Sequence, residues 1–393
     1  MLSKKLSSIT PSFTIGISTK VNELKSQGVD IINLSIGEPD FFTPTSAKEA
    51  AKVAIDENRT KYDAVAGVKE FRQVICKKLK EENLLDYQID EIVVSSGAKH
   101  AISNTLIAIT DPGDEILIPK PYWVSYPEMV KLTGGVPTFI DTDKANNFKV
   151  TKTDLERSIT DKTKAIFITN PSNPTGAIYS KEELVSIVNV CIKNDIYIIA
   201  DEIYEKICYD GNYTSIASIS TEAKDITITI NGLAKSAAMT GWRIGYTASN
   251  KDLAKAISSI QGHLVSHPCT IAQYAGIEAL RSGKEDMDLM LEGYRERRNM
   301  AKEMFATMPG VDIVDPDGAF YIFMDLSSIK ENFKYDESFS IEVCNRLLED
   351  YKLALVPGVA FGLDDFVRMS YAADINDVRR GIEIIGEFVS ANS

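Results

Sequence analysis

The sequence predicts an α/β fold with a mostly parallel central sheet flanked by helices, and three observations carry that reading. From Glu91 onward, short β-branched runs alternate with amphipathic stretches, the order that lays helices between parallel strands. The residues best suited to chemistry follow the ends of those runs, where open α/β sheets place their ligands. At 393 residues the chain also exceeds the size at which one hydrophobic core stops growing, so two domains or one elaborated α/β domain are expected.

Taken in chain order, strands are expected over 92–95, 115–118, 138–141, 164–169, 196–200, 226–230 and 243–248, each a short Ile/Val/Thr-rich run. Helices are expected over 98–109 and 181–194. Asp111-Pro112-Gly113-Asp114 reads as a turn, because proline presets φ and glycine accepts a left-handed backbone. Four loops then follow strand ends: Ser96-Gly97-Ala98-Lys99, the run NPSNPTG from Asn170 to Gly176, Asp201-Glu202-Ile203-Tyr204, and Asn231-Gly232-Leu233-Ala234-Lys235. The two chain ends carry helical patterns broken by Gly318-Ala319-Phe320-Tyr321 and Val356-Pro357-Gly358. The division expected is a large domain over 43–285 and a smaller, discontinuous one from 1–42 and 286–393.

Composition excludes several classes. Apolar residues at 44% and charged residues at 25% are those of an ordinary globular chain, and no segment is repeated or low in complexity. Acidic residues outnumber basic ones 56 to 43, a net charge of -13 that repels phosphate backbones, so nucleic acid is not an expected partner. No apolar run approaches membrane-spanning length, and Lys4-Lys5 is followed by Ser, Thr and Pro instead of an apolar leader, which reads as a cytoplasmic protein. Cys76, Cys191, Cys208, Cys269 and Cys344 are odd in number and scattered, suggesting neither a disulfide framework nor a zinc site. His263 and His267 are spaced to share a helix face, but no acidic third ligand accompanies them, so no metal is expected.

Several residues stand out chemically. Lys235 precedes Arg243 by eight positions in a stretch of small and apolar residues. A lysine amine becomes nucleophilic when burial or nearby cations lower its pKa, and Arg243 can supply that while gripping a phosphate; the alternative is a solvated pair. Asp201 either ends its strand at solvent or is a buried carboxylate in need of a cationic partner. Tyr204 lies over the same pocket or packs in the core. Ser96-Gly97-Ala98, between strand and helix, lets backbone N–H groups approach an anion. NPSNPTG by itself says rigid turn, and gains meaning if Asn173 donates to a ligand oxygen.

In this order, the segments resemble the fold-type I pyridoxal-phosphate-dependent aminotransferases, specifically the bacterial aspartate aminotransferase branch of class I. The resemblance covers essentially the whole chain: Ser35-Ile36-Gly37-Glu38-Pro39-Asp40-Phe41, Lys61-Tyr62, Pro121-Tyr122-Trp123, NPSNPTG, DEIYE, NGLAKSAAMTGWRIGY and Val367-Arg368-Met369-Ser370-Tyr371. It implies a large domain with a mostly parallel sheet plus a small α+β domain built from both chain ends. It also implies that Lys235 carries pyridoxal 5'-phosphate as a Schiff base, that Asp201 pairs with the pyridinium nitrogen, and that Tyr204 and Asn173 donate to the ring's phenolic oxygen. Trp123 would stack on the ring. Arg243 and the backbone of Gly97, Ala98 and Lys99 would hold the phosphate, with Tyr62 reaching in from the other subunit of a homodimer. Arg368 would bind the substrate α-carboxylate, helped by the backbone at Gly37, with Trp123 and Asn173 beside the substrate. The reaction implied moves an amino group from an L-amino acid to a 2-oxo acid in ping-pong order, the cofactor alternating between pyridoxal and pyridoxamine forms.

Two departures touch details. Ala234 stands where many relatives have a serine that contacts the phosphate, and Tyr126 stands where some animal-type members have a histidine behind the aspartate. Lys99 matches the position thought to read the distal carboxylate of aspartate or glutamate, which points to L-aspartate with 2-oxoglutarate; as a bystander it would leave aromatic, neutral or prephenate-type substrates open. A lyase on the same fold is a second enzyme reading. A regulatory binding module is disfavoured because residues 1–42 are too short and too weakly basic for a helix-turn-helix head.

Overall fold

The computed structural model describes residues 7, 9–10 and 13–393; the Lys4-Lys5 start lies outside the described residues. The chain enters through α1 (Phe13–Ser26), β1 (Ile32–Asn33), α2 (Thr45–Asp56) and α3 (Lys69–Asn83). The alternating middle follows: β2 (Ile92–Ser95), α4 (Ala98–Ile109), β3 (Glu115–Pro119), α5 (Tyr126–Thr133), β4 (Val136–Ile140), α6 (Lys152–Ser158), β5 (Thr163–Thr169), α7 (Lys181–Lys193), β6 (Tyr197–Asp201), α8 (Thr221–Ile226), β7 (Thr227–Gly232) and β8 (Gly245–Ala248). Helices α9 (Lys251–Leu264), α10 (Thr270–Ser282) and α11 (Lys284–Ala306) lead to β9 (Asp312–Ile313), β10 (Tyr321–Asp325), α12 (Phe339–Tyr351), β11 (Leu353–Ala354), β12 (Val356–Pro357), β13 (Phe366–Ser370) and α13 (Ile375–Asn392).

Seven strands form the main sheet in the order β2-β8-β7-β6-β5-β3-β4. All neighbours are parallel except β8, which runs antiparallel to both β2 and β7. Strands covered on both faces need no polar alternation, and Ile198, Ile199 and Ala200 of β6 are all buried. One face packs Ile102, Leu106 and Ile257 from α4 and α9; the other packs Leu184, Ile187 and Val188 from α7. Local signals set helix boundaries. Ser180 caps α7 by accepting from the Glu183 N–H while the Glu183 carboxylate accepts from Ser180 N–H, and α5 stops at Gly134, whose φ of 91° suits glycine.

The chain ends carry strands as well as helices. β1 pairs in parallel with β11, and β12-β13-β10-β9 make an antiparallel sheet in which Arg368 of β13 faces Phe323 of β10. Both are short pairings between distant segments, which a period search along one sequence does not reveal. Several sequence boundaries shift, among them the strand expected over 138–141, which spans Val136–Ile140. The strand expected over 243–248 begins at Gly245, because Ser95 of β2 and Gly232 of β7 both end opposite that residue; Arg243 lies on the preceding turn at φ 56°. Asp201 and Gly232 are the last residues of β6 and β7, where loop residues were expected. His267 lies past the end of α9, and its Nε2 accepts from the Asp63 N–H at 3.2 Å, so it does not share a helix face with His263.

Candidate active site

The C-terminal ends of β5, β6 and β7 open onto a cavity of about 470 Å³, closed on the far side by β10, β13 and the loop around Gly37. Asp201 terminates β6 with only 5% exposure. The Tyr126 hydroxyl donates to its Oδ2 at 2.6 Å, and the Ile203 N–H to its Oδ1 at 3.3 Å. Burial raises the Asp201 pKa, with the Tyr126 and Ile203 hydrogen bonds pulling it back. A carboxylate so placed gains most from a cation delivered into the cavity.

Lys235 lies one turn beyond β7, and its Nζ donates to the Gly37 carbonyl. Burial lowers its pKa to about 8; Glu38 opposes that shift, Arg368 and Arg243 add to it, and Asp201 opposes it. A sizeable fraction of the amine is therefore neutral near physiological pH, the state in which it attacks carbonyl carbon or takes a proton.

An anion cradle sits beside the lysine. Helix α4 starts after Gly97, which holds φ 88° and offers no side-chain cap, so its first N–H groups are left for another acceptor. Arg243 lies against that glycine: a Cβ there would stand 2.6 Å from its Nη2. Gly245 packs just as tightly, with its Cβ position 2.4 Å from the Ala98 nitrogen. Lys99, on the first turn of α4, holds its Nζ 4.9 Å over the Trp123 ring, and burial, then Arg243, lower its pKa.

Opposite the cradle, Arg368 is 3% exposed. Its Nη1 donates to Asn173 Oδ1 and its Nη2 to the Ser35 carbonyl, both at 3.0 Å, while Nε has no partner among the described residues. Asn173 spends its oxygen on the arginine, leaving its N–H groups for a ligand. Tyr321 lies under the guanidinium, 4.3 Å from carbon to ring centre, and its hydroxyl is 2.7 Å from that of Tyr204.

One cavity thus gathers Gly37, Ala98, Lys99, Trp123, Asn173, Asp201, Tyr204, Lys235, Arg243 and Arg368, with Gly97 directly behind Arg243. Tyr62 is not brought in: it is 89% exposed, edge-on to His267 at 5.8 Å between ring centres. The cavity adds Tyr321, Glu38 and Thr240, none of which the sequence reading singled out as a site residue; the Thr240 hydroxyl donates to Glu38 Oε2 at 2.9 Å. Tyr321 carried only a signal of chain interruption, Gly318-Ala319-Phe320 before it, and Glu38 was visible as the one charged residue beside Gly37.

Sheet and cavity together make a site at strand ends whose groups suit a small anion beside a part-buried lysine amine. Residues 29–385 match the sequence profile of the family described as aminotransferase class I and II, and the chain belongs to that family. It is 42% identical to an aspartate aminotransferase of Bacillus sp. (strain YM-2), covering 99% of both chains. It is 44% identical to a probable aspartate/prephenate aminotransferase of Aquifex aeolicus, over 98% of this chain and 97% of that one. Among solved structures, the aspartate aminotransferase of Thermus thermophilus with maleate superposes with a TM-score of 0.93 at 39% identity, covering 99% of each chain.

Proposed function

We propose that the chain is a cytoplasmic, homodimeric, pyridoxal-phosphate-dependent aminotransferase that transfers the amino group of L-aspartate to 2-oxoglutarate in ping-pong order. The observation that carries this reading is the placement of Lys235, Asp201, Arg243 and Arg368 around one cavity. The donor set fits the cofactor. The uncapped N-terminus of α4 with Arg243 suits a phosphate, Asp201 suits a protonated ring nitrogen, and Asn173 and Tyr204 offer N–H and O–H groups toward a ring oxygen. Residues 43–285 would form the large unit that holds these groups, with 1–42 and 286–393 as the smaller one, and Tyr62 would complete the site of a neighbouring subunit. Trp123 would cover the ring face.

When bound, pyridoxal phosphate supplies an electron sink for the pair left at the substrate Cα. Asp201 keeps that sink strong by favouring a protonated ring nitrogen. Arg368, on the cavity wall, binds the α-carboxylate, and the Gly37 backbone closes that side. Lys235 Nζ then takes the Cα proton and returns it one atom further on, as base and then acid. Lys99 places an ammonium for a distal carboxylate, and the relative bound to maleate, a four-carbon dicarboxylate, supports an acidic substrate. Ile36 and Ile102 on the same cavity wall, with the aspartate/prephenate name of the Aquifex relative, support a second reading in which a bulkier ring substrate is also accepted.

Purified holoenzyme mixed with single amino acids and 2-oxoglutarate should form oxaloacetate from aspartate faster than any 2-oxo acid from neutral or aromatic donors. Lys99→Ala should lower kcat/KM for aspartate by about tenfold or more and leave neutral donors within about twofold. Equal losses on both classes would remove Lys99 from substrate recognition. Release of ammonia and pyruvate from a β-substituted alanine, without transfer, would identify a lyase.

A further inference from the structure

Two tyrosine hydroxyls meet on the cavity wall, and the direction of the proton between them decides which can donate to a ligand. Tyr204 Oη and Tyr321 Oη are 2.7 Å apart, on rings that are 4% and 1% exposed. Each phenol has one proton, so one hydroxyl donates to the other and the second proton is directed elsewhere. Both hydroxyl-bearing residues line the cavity.

Their surroundings differ. The Arg368 guanidinium lies over the Tyr321 ring at 4.3 Å, whereas Tyr204 meets Phe320 edge-on at 5.5 Å. Burial raises both phenols and Arg368 pulls both back, with the guanidinium placed directly over the Tyr321 ring. The more acidic hydroxyl is the better donor. Tyr321 Oη is also walled in by Gly37, where a Cβ would lie 2.6 Å away, and Tyr204 is its hydrogen-bond partner among the described residues.

We propose that Tyr321 is a positioning residue: it donates to Tyr204, so that the Tyr204 proton is directed into the cavity toward the ring oxygen of the bound cofactor. This rests on the reading of Tyr204 as a cofactor-facing donor. A hydroxyl that accepts one hydrogen bond also donates a stronger one, so Tyr321 strengthens as well as aims Tyr204. Tyr321→Phe keeps the ring beneath Arg368 and deletes only the hydroxyl.

The test is a double-mutant cycle read by absorbance of the holoenzyme against pH, without substrate. A hydrogen bond to the ring oxygen favours its ionised form, so losing the bond raises the midpoint of the absorbance change. Tyr204→Phe should raise it by about one pH unit and Tyr321→Phe by a fraction of that, roughly half. The double variant should match Tyr204→Phe alone, because Tyr321 acts through it. With substrate, Tyr321→Phe should lower kcat on the order of two- to tenfold and leave KM within about twofold. An unchanged midpoint in Tyr321→Phe, or a shift that adds in full to that of Tyr204→Phe, overturns the proposal. A Tyr204→Phe midpoint equal to wild type overturns the underlying reading of Tyr204 instead, and the two failures are separately visible. Melting of the cofactor-free forms checks the fold. If Tyr321→Phe melts far lower, 3-fluorotyrosine incorporated at position 321, nearly isosteric and a stronger donor, should lower the midpoint; an unchanged or raised one counts against the proposal.

Discussion

Glu202→Gln should stabilise the protein at alkaline pH and leave its stability unchanged in mild acid. Glu202 is the neighbour of Asp201 and points to the other side of the strand end, where it is 1% exposed. Its carboxylate accepts from the Ser215 hydroxyl at 2.8 and 2.9 Å and from the Ile216 N–H at 3.1 Å. Glu205 shares this buried region, but it has the cation: Lys78 Nζ pairs with its Oε1, and Asn83 donates to its Oε2 at 2.7 Å. Burial would raise the Glu205 pKa, yet Lys78 and Lys206 hold it below the ordinary value, so Glu205 is the ionised member. Burial and the negative charge of Glu205 push Glu202 up from 4.5 to about 7, against the donors around it. The folded form therefore binds this proton more tightly than the unfolded chain. Its advantage is complete below 4.5, erodes as pH rises to about 7, and is gone above that. The erosion amounts to roughly 3 kcal/mol. Glutamine stays neutral throughout and keeps an oxygen for Ser215 and Ile216. The variant should thus match wild type near pH 5 and melt a few degrees higher near pH 8, as read by scanning calorimetry across that range. A difference that stays constant with pH, or a variant that loses ground as pH rises, would refute the assignment of the proton to Glu202.

Two further substitutions probe the cavity. Lys235→Ala should lower transamination by about a thousandfold or more while pyridoxal phosphate still binds through Asp201 and Arg243, measured by steady-state rate and by cofactor retention on gel filtration; near-normal turnover would sink the catalytic role. Gly245→Ala should lower the melting temperature, at a cost of about 1–3 kcal/mol, and weaken cofactor affinity, measured by thermal melt and fluorescence titration. The added Cβ would meet the backbone at Ala98 N and Gly97 C, 2.4 and 2.6 Å away, and neither is a flexible side chain that can swing aside.

What the sequence revealed follows from what is local. Helix 98–109 and strand 92–95 are found at those limits because a Gly-marked turn and a short β-branched run are defined by neighbours in the chain. The start of β8 is set by where β2 and β7 end, at Ser95 and Gly232, information held 150 and 13 residues before Gly245. Likewise, the strand-end rule points to Asp201, Lys235 and the Gly97 turn, all of which the structure places around one cavity. Tyr321 reaches it only because β10 pairs with β13 and lies beneath Arg368. Glu202 was visible beside Asp201, but its proton depends on Ser215 and Ile216 reaching it and on Lys78 and Asn83 of α3 holding Glu205 ionised, none of which is local in the chain. Tyr62 faces solvent with only the edge of the His267 ring beside it among the described residues, and nothing local in the sequence sets that exposure.

The charge of the cavity runs against that of the molecule. A chain with net charge -13 surrounds a cavity whose walls present Lys99, Lys235, Arg243 and Arg368 against Glu38 and Asp201. The surface field discourages polyanions, while cations gathered around one cavity, with Arg368 buried among them, favour small ones such as a phosphate ester and a dicarboxylate. The same cations act on the lysine. Burial first, then Arg368 and Arg243, hold the Lys235 amine at a pKa of about 8. Anions bound to those two arginines offset their charge, so the proton affinity of any free Lys235 amine rises once the cavity is filled. Under the proposed function the amine would thus deprotonate easily before binding and accept a proton more strongly afterwards, which is the order in which a nucleophile and then a general base are needed.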